Sequence, residues 1–339
     1  MQLFATKRAA VLERSKARKI FSIVGDELGL VEAEFERQMR SNIQVINYLG
    51  DYVRESGGKR VRPALLVLSN YAAGGRAADE PIIRLATVME MLHTATLVHD
   101  DIIDNSDIRR NRTSVNARFG NQTAVLMGDW LYMSAFETSL RERSLEILDI
   151  LTRLTRKMTE GELIQLTTIG DVNISEEAYY DILRRKTAYL FSACCEIGSI
   201  SGSADKNYRE ALRDYGMNLG IAFQLADDLL DLTAEMNDLG KASGVDLTEG
   251  KMTLPLILLL KEQPDLKPLL EEVMRSGTYE AISRNGILRK MSEIGMIDRI
   301  RSIALGFATA ARKNLDVLPK TEYRVALEAI PDYVIERGN

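Results

Sequence analysis

Cysteine, histidine and proline are all scarce in this 339-residue chain, which has two, two and seven of them. The cysteines are neighbours, Cys194 and Cys195. Adjacent cysteines rarely bridge each other, so no disulfide framework is expected, and both read as small core residues of a reducing compartment. No Cys-x-x-Cys pair or His/Cys spacing suggests zinc. Glu90 and His93 form one Glu-x-x-His, but a di-iron bundle needs two, and no glutamate stands three before His99. His99 therefore reads as a satisfied helix residue. No apolar run reaches the roughly 18–20 residues of a membrane span. The basic first segment, "MQLFATKRAAVLERSKARK", lacks the apolar stretch of a secretory signal and reads as a first amphipathic helix. A net charge of −5 excludes the global positive field behind non-specific nucleic-acid binding.

Alternation of period two is equally scarce. Apolar residues instead recur at i, i+3, i+4 and i+7. "EAEFERQMRSNIQVINYLGDYV", "IIRLATVMEMLHTATLVHDDIID" and "YREALRDYGMNLGIAFQLADDLLDL" all fit helices. The stretch from Leu85 to Asp104 is apolar on most sides, which predicts burial inside a large bundle. The fold expected is all-α, in one domain over 1–339. "ESGGKRVRP" and "DNSDIRRNRTSVNARFGN" read as loops, and "NYAAGGRAADEP" as a turn between helices. In "GDVNISEE", Ser175 is placed to cap a helix that carries Glu176 and Glu177 in its first turn. "EMNDLGKASGVDLTEGKMTLP" reads as a long charged loop of the kind that forms lids.

Against this background two acidic patches stand out. "LVHDDIIDN" holds Asp100, Asp101 and Asp104; "FQLADDLLD" holds Asp227, Asp228 and Asp231. In each, the first and last aspartates are four apart and share a helix face. Carboxylates crowded on apolar helices repel one another unless cations bind there. One such patch is more often a solvated acid face; two in leucine-rich helices reverse that. An oxygen-only set favours magnesium, which keeps waters and bridges to substrate phosphates. Positive partners are at hand in Lys59, Arg60, Arg62, Arg109, Arg110, Lys186, Lys241 and Lys251. Singly, each reads as a surface charge. Together they suggest two anionic groups, one on the metal and one on the bases.

"GGKRVRP", "HTATLVHDDIID", "RRKTAYLF", "FQLADDLLD" and "GKASGVDLTEGKMTLP" follow one another in the order and spacing of the trans-polyprenyl diphosphate synthases, and the chain resembles that family over nearly its whole length. The resemblance implies an all-α homodimer with a deep central cavity. It implies magnesium-dependent, head-to-tail condensation of isopentenyl diphosphate onto an allylic diphosphate, with about two or three ions per site. By position, Asp100, Asp101, Asp104, Asp227, Asp228 and Asp231 would form the metal motifs, with Asp100, Asp104 and Asp227 the direct ligands. Arg109 would contact the allylic diphosphate. Lys59, Arg62, His93 and Arg110 would hold isopentenyl diphosphate. Lys186, Thr187, Gln224 and Lys241 would surround the leaving diphosphate and the developing cation, and Lys251 would complete the closing loop. One departure is Asn111, where the family usually has glycine; asparagine tolerates a left-handed backbone better than most residues.

Side chains on the helix turns N-terminal to Asp100 would line the path of the growing chain. Ala95 and Thr96, five and four residues earlier, are small, where relatives that stop at fifteen carbons carry an aromatic. An open tunnel and a product of about forty carbons follow. Met91, Val88 and Met127 are candidates for deeper lining, although methionines at helical spacing are more often plain core. A class I terpene cyclase fits less well, because its second metal motif is of the Asn/Ser/Glu kind. A non-catalytic partner subunit would have lost aspartates or basic residues that are present here. A cytoplasmic protein is expected, with transient contact to a membrane face as its greasy product leaves.

Overall fold

The computed structural model describes residues 20–75, 79–110, 112–202, 204–234 and 243–336. Helices dominate, as the spacing predicts. They are α1 (Gly25–Gln38), α2 (Gln44–Glu55), α3 (Val61–Ala72), α4 (Glu80–Ile103), α5 (Val115–Phe119), α6 (Asn121–Ser139), α7 (Leu145–Thr168), α8 (Glu176–Leu183), α9 (Tyr189–Ser201) and α10 (Lys206–Thr233). After the loop come α11 (Val245–Thr248), α12 (Leu254–Glu262), α13 (Lys267–Ser276), α14 (Arg284–Glu293), α15 (Met296–Asn314) and α16 (Glu322–Glu336). The basic N-terminal segment lies outside the described residues.

Caps stop and start these helices as the sequence indicates. Ser175 Oγ accepts from the Ala178 amide at 3.1 Å and opens α8. Asp205 does the same for Tyr208 at 2.9 Å at the head of α10. Each satisfies an amide the first turn leaves orphaned. In α4, nearly every side chain from Ile82 to Leu92 is buried, as expected of a helix apolar all round. Cys194 and Cys195 are free thiols in the core.

Two readings need correction. "EAEFERQMRSNIQVINYLGDYV" is not one helix; the chain breaks between α1 and α2. Asn47 holds the break by accepting from the Ser41 amide at 2.8 Å and donating to the Ser41 carbonyl at 2.9 Å. Ser and Asn compete locally for backbone groups in this way, and apolar spacing does not register it. The polar loop after Asp104 contains a small hairpin, Ile108–Arg109 paired with Arg112–Thr113, followed by α5. Asn111 lies outside the described residues; its neighbour Arg110 has left-handed backbone, at φ 52°.

The core forms two apolar clusters, and α10 runs through both. Leu212, Tyr215 and Leu219 belong to the first; Ile221, Leu225, Leu229 and Leu232 belong to the second. Between α8 and α9 the chain makes a π-helical turn, Arg184–Ala188. It is wedged between two glycines. A Cβ on Gly161 of α7 would lie 2.6 Å from Arg185 Cβ, and one on Gly220 of α10 would lie 2.6 Å from Ala188 Cα. Ion pairs from Arg185 to Asp181 at 2.9 Å and to Glu160 at 2.5 Å tie the turn to α8 and α7. Such turns re-aim side chains, and this one carries Lys186 and Thr187.

Candidate active site

Both acidic patches sit at the last turns of their helices. Asp100 and Asp101 close α4, Asp104 caps it, and Asp227, Asp228 and Asp231 lie near the end of α10. Arg62, Arg109, Lys186 and Lys251 stand beside them. Lys186, on the π turn, is close enough to Asp100 to steady its charge, and Arg62, on α3, does the same for Asp227. The separate stretches of sequence therefore meet in one place.

Within each patch the carboxylates have different duties. Asp101 is buried and grips Arg109, which reaches Oδ1 through Nε at 2.7 Å. Asp104 binds the Lys251 ammonium at 2.9 Å, and Lys251 also holds Glu249 at 2.7 Å. Burial alone would lower the Lys251 pKa, but Asp104 and Glu249 outweigh it and keep the ammonium charged. Asp228 is buried and accepts from the Tyr179 hydroxyl at 2.5 Å and from Gln224 Nε2 at 2.8 Å. Asp231 accepts from the Val245 and Asp246 amides, both at 3.3 Å, and so anchors α11. Asp100 is the exception. Its half-buried carboxyl has no hydrogen-bond or ion-pair partner among the described residues. Burial pushes it up to about 7; Lys186 opposes the rise, while Glu162 and Asp104 add to it. No three acidic or histidine side chains among the described residues are gathered into a ready-made metal cage. An orphan carboxylate beside a second one on the same helix face, with most neighbours committed to protein groups, suits an ion that takes one or two carboxylates and leaves its other positions to water and phosphate.

That rise carries a prediction. An Asp100 carboxyl that titrates near 7 when folded and near the ordinary 3.8 when unfolded makes the folded state the stronger proton binder between those values. Stability is thus lost as pH rises from about 4 to about 7, and the loss is complete above 7. In the metal-free chain, Asp100→Asn is expected to melt higher than wild type, by a few degrees at pH 8 and by much less at pH 4. A difference in melting temperature that does not change with pH would contradict this picture of Asp100.

The basic half of the site is equally specific. Arg62 Nη1 lies 2.9 Å from His93 Nε2, with its guanidinium 5.1 Å above the Phe191 ring. Arginine only donates, so His93 Nε2 accepts and the ring is neutral, with its proton on Nδ1. Burial, then Arg62 and Arg110, hold the His93 pKa well below the usual range, in agreement. Lys59 is exposed and stands 5.7 Å from the Tyr333 ring of α16. Arg60 turns away to Glu32 and to Glu90, the latter at 2.6 Å, and so serves the fold. Arg110 has no ion-pair partner among the described residues; burial and the nearby Arg60 and Arg109 lower its pKa. Lys241 lies outside the described residues. Thr187 Oγ1 donates to Gln224 Oε1 at 2.8 Å, which links the π turn to α10.

Three participants are not visible in the sequence motifs. Glu162 and Gln165 of α7 hold the Lys186 ammonium, Glu162 at 2.5 Å and Gln165 through its side-chain oxygen. Tyr179 of α8 holds Asp228. Glu162 and Gln165 are three apart and share a helix face, the only sign the sequence offers. His99 is satisfied as expected, its Nε2 3.2 Å from the Val125 carbonyl and its ring stacked on Tyr132 at 5.8 Å. Ala95, one turn earlier on the same face of α4, is fully buried, as are Val88 and Met91; Met127 of α6 is nearly so. Thr96 Oγ1 donates to the His93 carbonyl at 2.7 Å.

Paired acidic helix ends facing bases on a bent turn, in an all-α frame, define an enzyme that handles diphosphates. Residues 43–289 match the family model described as polyprenyl synthetase, and the chain belongs to that family of prenyl-transferring enzymes. It is 36% identical over 320 residues to the octaprenyl diphosphate synthase of Escherichia coli, covering 94% of this chain and 98% of that one. It is 33% identical to the geranylgeranyl diphosphate synthase of Methanosarcina mazei, over 84% of this chain and 88% of the relative. Among solved structures, a decaprenyl diphosphate synthase from Rhodobacter capsulatus superposes with a TM-score of 0.89 at 33% identity, covering 95% of this chain and 99% of its own. The chain is a prenyl diphosphate synthase; its relatives are named for products of several lengths.

Proposed function

We propose that the protein is a long-chain trans-polyprenyl diphosphate synthase, extending an allylic diphosphate such as farnesyl diphosphate with isopentenyl diphosphate to about forty carbons. The observation that carries the length is the small pair Ala95 and Thr96 on the turns before Asp100, where a bulky side chain would block growth. The high similarity to an octaprenyl synthase agrees with it.

The orphan Asp100, with Asp104 and Asp227, fits magnesium and would hold it with the allylic diphosphate. Bound there, magnesium supplies the positive charge that lets a diphosphate leave carbon. Arg109, braced by Asp101, faces the same diphosphate. Lys59, Arg62, His93 and Arg110 take the second diphosphate, and the neutral His93 ring gives a donor from Nδ1 without a further charge. Lys186, held by Glu162 and Gln165, stands beside Asp100 where negative charge grows as the carbon–oxygen bond breaks. Thr187 and Gln224 complete that side. Lys251 ties the closing loop to Asp104. The apolar helices keep water from the allylic cation until the isopentenyl double bond attacks it. The released diphosphate is then the base that takes the proton.

The assembly we propose is a homodimer formed through α6, whose outer face exposes Leu126 at 67% and Met133 at 63%, too apolar a stripe to leave in water. No helix among the described residues is long and apolar enough to cross a membrane; a cytoplasmic site with brief membrane contact at product release remains our reading. The test incubates the purified chain with labelled isopentenyl diphosphate, farnesyl diphosphate and magnesium and sizes the dephosphorylated products, with light scattering for its mass. A ladder ending near forty carbons from a dimer is expected. A ladder ending at fifteen or twenty keeps the reaction and discards the length; no product from the chain alone points to an obligate partner subunit.

A further inference from the structure

Tyr179 appears in none of the sequence motifs and in no step of the reaction above. Its ring is buried in the second core cluster, edge-on to Tyr180 at 5.4 Å. Its hydroxyl donates to Asp228 Oδ2 at 2.5 Å. The other oxygen of that carboxylate accepts from Gln224 Nε2 at 2.8 Å, and Gln224 Oε1 accepts from Thr187 Oγ1 at 2.8 Å. Four side chains from α8, the π turn and α10 thus form one directed chain of hydrogen bonds.

Its direction follows from donor and acceptor chemistry. Burial pushes the Asp228 carboxyl up to about 7, and the Tyr179 and Gln224 hydrogen bonds oppose that rise by favouring the ionised form; ionised, both its oxygens accept, and Gln224 turns its NH2 group to Oδ1. That leaves the amide oxygen for Thr187, whose hydroxyl gives its one proton to it. Thr187 Oγ1 then has lone pairs and no proton left to offer. Such an oxygen favours a developing cation over a diphosphate oxygen. Tyr179 fixes the start of the chain. Without its hydroxyl, Asp228 Oδ2 is a buried acceptor with no donor, and the Gln224 amide is free to move or flip to serve it. Thr187 then regains a rotating hydroxyl.

We propose that Tyr179 is a positioning residue for the ionisation step, setting the Thr187 hydroxyl through Asp228 and Gln224. The inference rests on the synthase reading. It also assigns Asp228 to orienting its neighbours, leaving metal to Asp100, Asp104 and Asp227.

The variant Tyr179→Phe keeps the ring and removes only the donor. It is expected to lower kcat about tenfold while KM for both diphosphates stays within about twofold of wild type. Thr187→Val should be slower still, and the double variant no slower than Thr187→Val alone, because both changes act through one hydroxyl. The rise in melting temperature produced by magnesium with inorganic diphosphate should be the same in Tyr179→Phe as in wild type. Losses that multiply in the double variant would show that Tyr179 acts elsewhere and would overturn the proposal. So would a lost magnesium response, which would make Asp228 a metal ligand. A wild-type chain that makes no prenyl product alone, the sign of an obligate partner subunit, is seen before any variant is measured, so failure of the single-chain synthase reading is told apart from failure of this inference.

Discussion

Replacing Asp100 with alanine is expected to slow product formation at least about a thousandfold, equivalent to about 4 kcal/mol of transition-state stabilisation. The size follows from the site. Asp100 is the carboxylate that no described protein group satisfies, so a cation beside the allylic diphosphate draws most directly on it. Its neighbours cannot substitute freely: Asp101 is bound to Arg109, and Asp104 to Lys251. Folding should survive the change, because a half-buried carboxyl pushed up to about 7 costs stability when it ionises. Rates near wild type at saturating magnesium would remove Asp100 from the metal site and with it the reading of the first motif.

The second large effect is on product, not rate. Ala95→Tyr is expected to cut the product from about forty carbons to about fifteen or twenty, with the first condensation little slowed. Ala95 shares a face of α4 with His99, which bonds to Val125 of α6, so a side chain added there enters the seam between the two helices. A tyrosine in a packed seam also strains it, and a loss of a few degrees in melting temperature should accompany the change. Thr96→Tyr, on a half-buried position, provides the same test with less strain. If both variants make chains as long as the wild type's, the wall of the tunnel lies elsewhere.

The aspartate patches, the glycine-flanked basic loop and the long amphipathic helices were legible in the sequence because each depends on spacing along one helix or on composition. What escaped depends on how separate helices meet. Nothing in "RRKTAYLF" announces a π turn; it follows from the notches at Gly161 and Gly220, on two other helices, and from ion pairs of Arg185. Glu162, Gln165 and Tyr179 look like ordinary helix residues until folding sets them against Lys186 and Asp228. Arg60 shows the reverse case. It sits in sequence among the bases proposed to bind substrate, yet its backbone is left-handed at φ 50° and its side chain pairs with Glu32 and Glu90. The break before α2 was hidden because apolar spacing runs through it while Ser41 and Asn47 undo the helix.

Many proteins seat phosphate on the N-terminal end of a helix, where amide groups and the dipole attract it directly. Here α4 and α10 present their other ends, and six aspartates lie at or near those carbonyl-rich turns. Both the dipoles and the side chains repel a diphosphate. On the proposed reading, the direction in which the two helices run makes this face a poor seat for a diphosphate unless a divalent cation intervenes, and the need for that cation would be a property of chain topology as much as of the aspartates themselves.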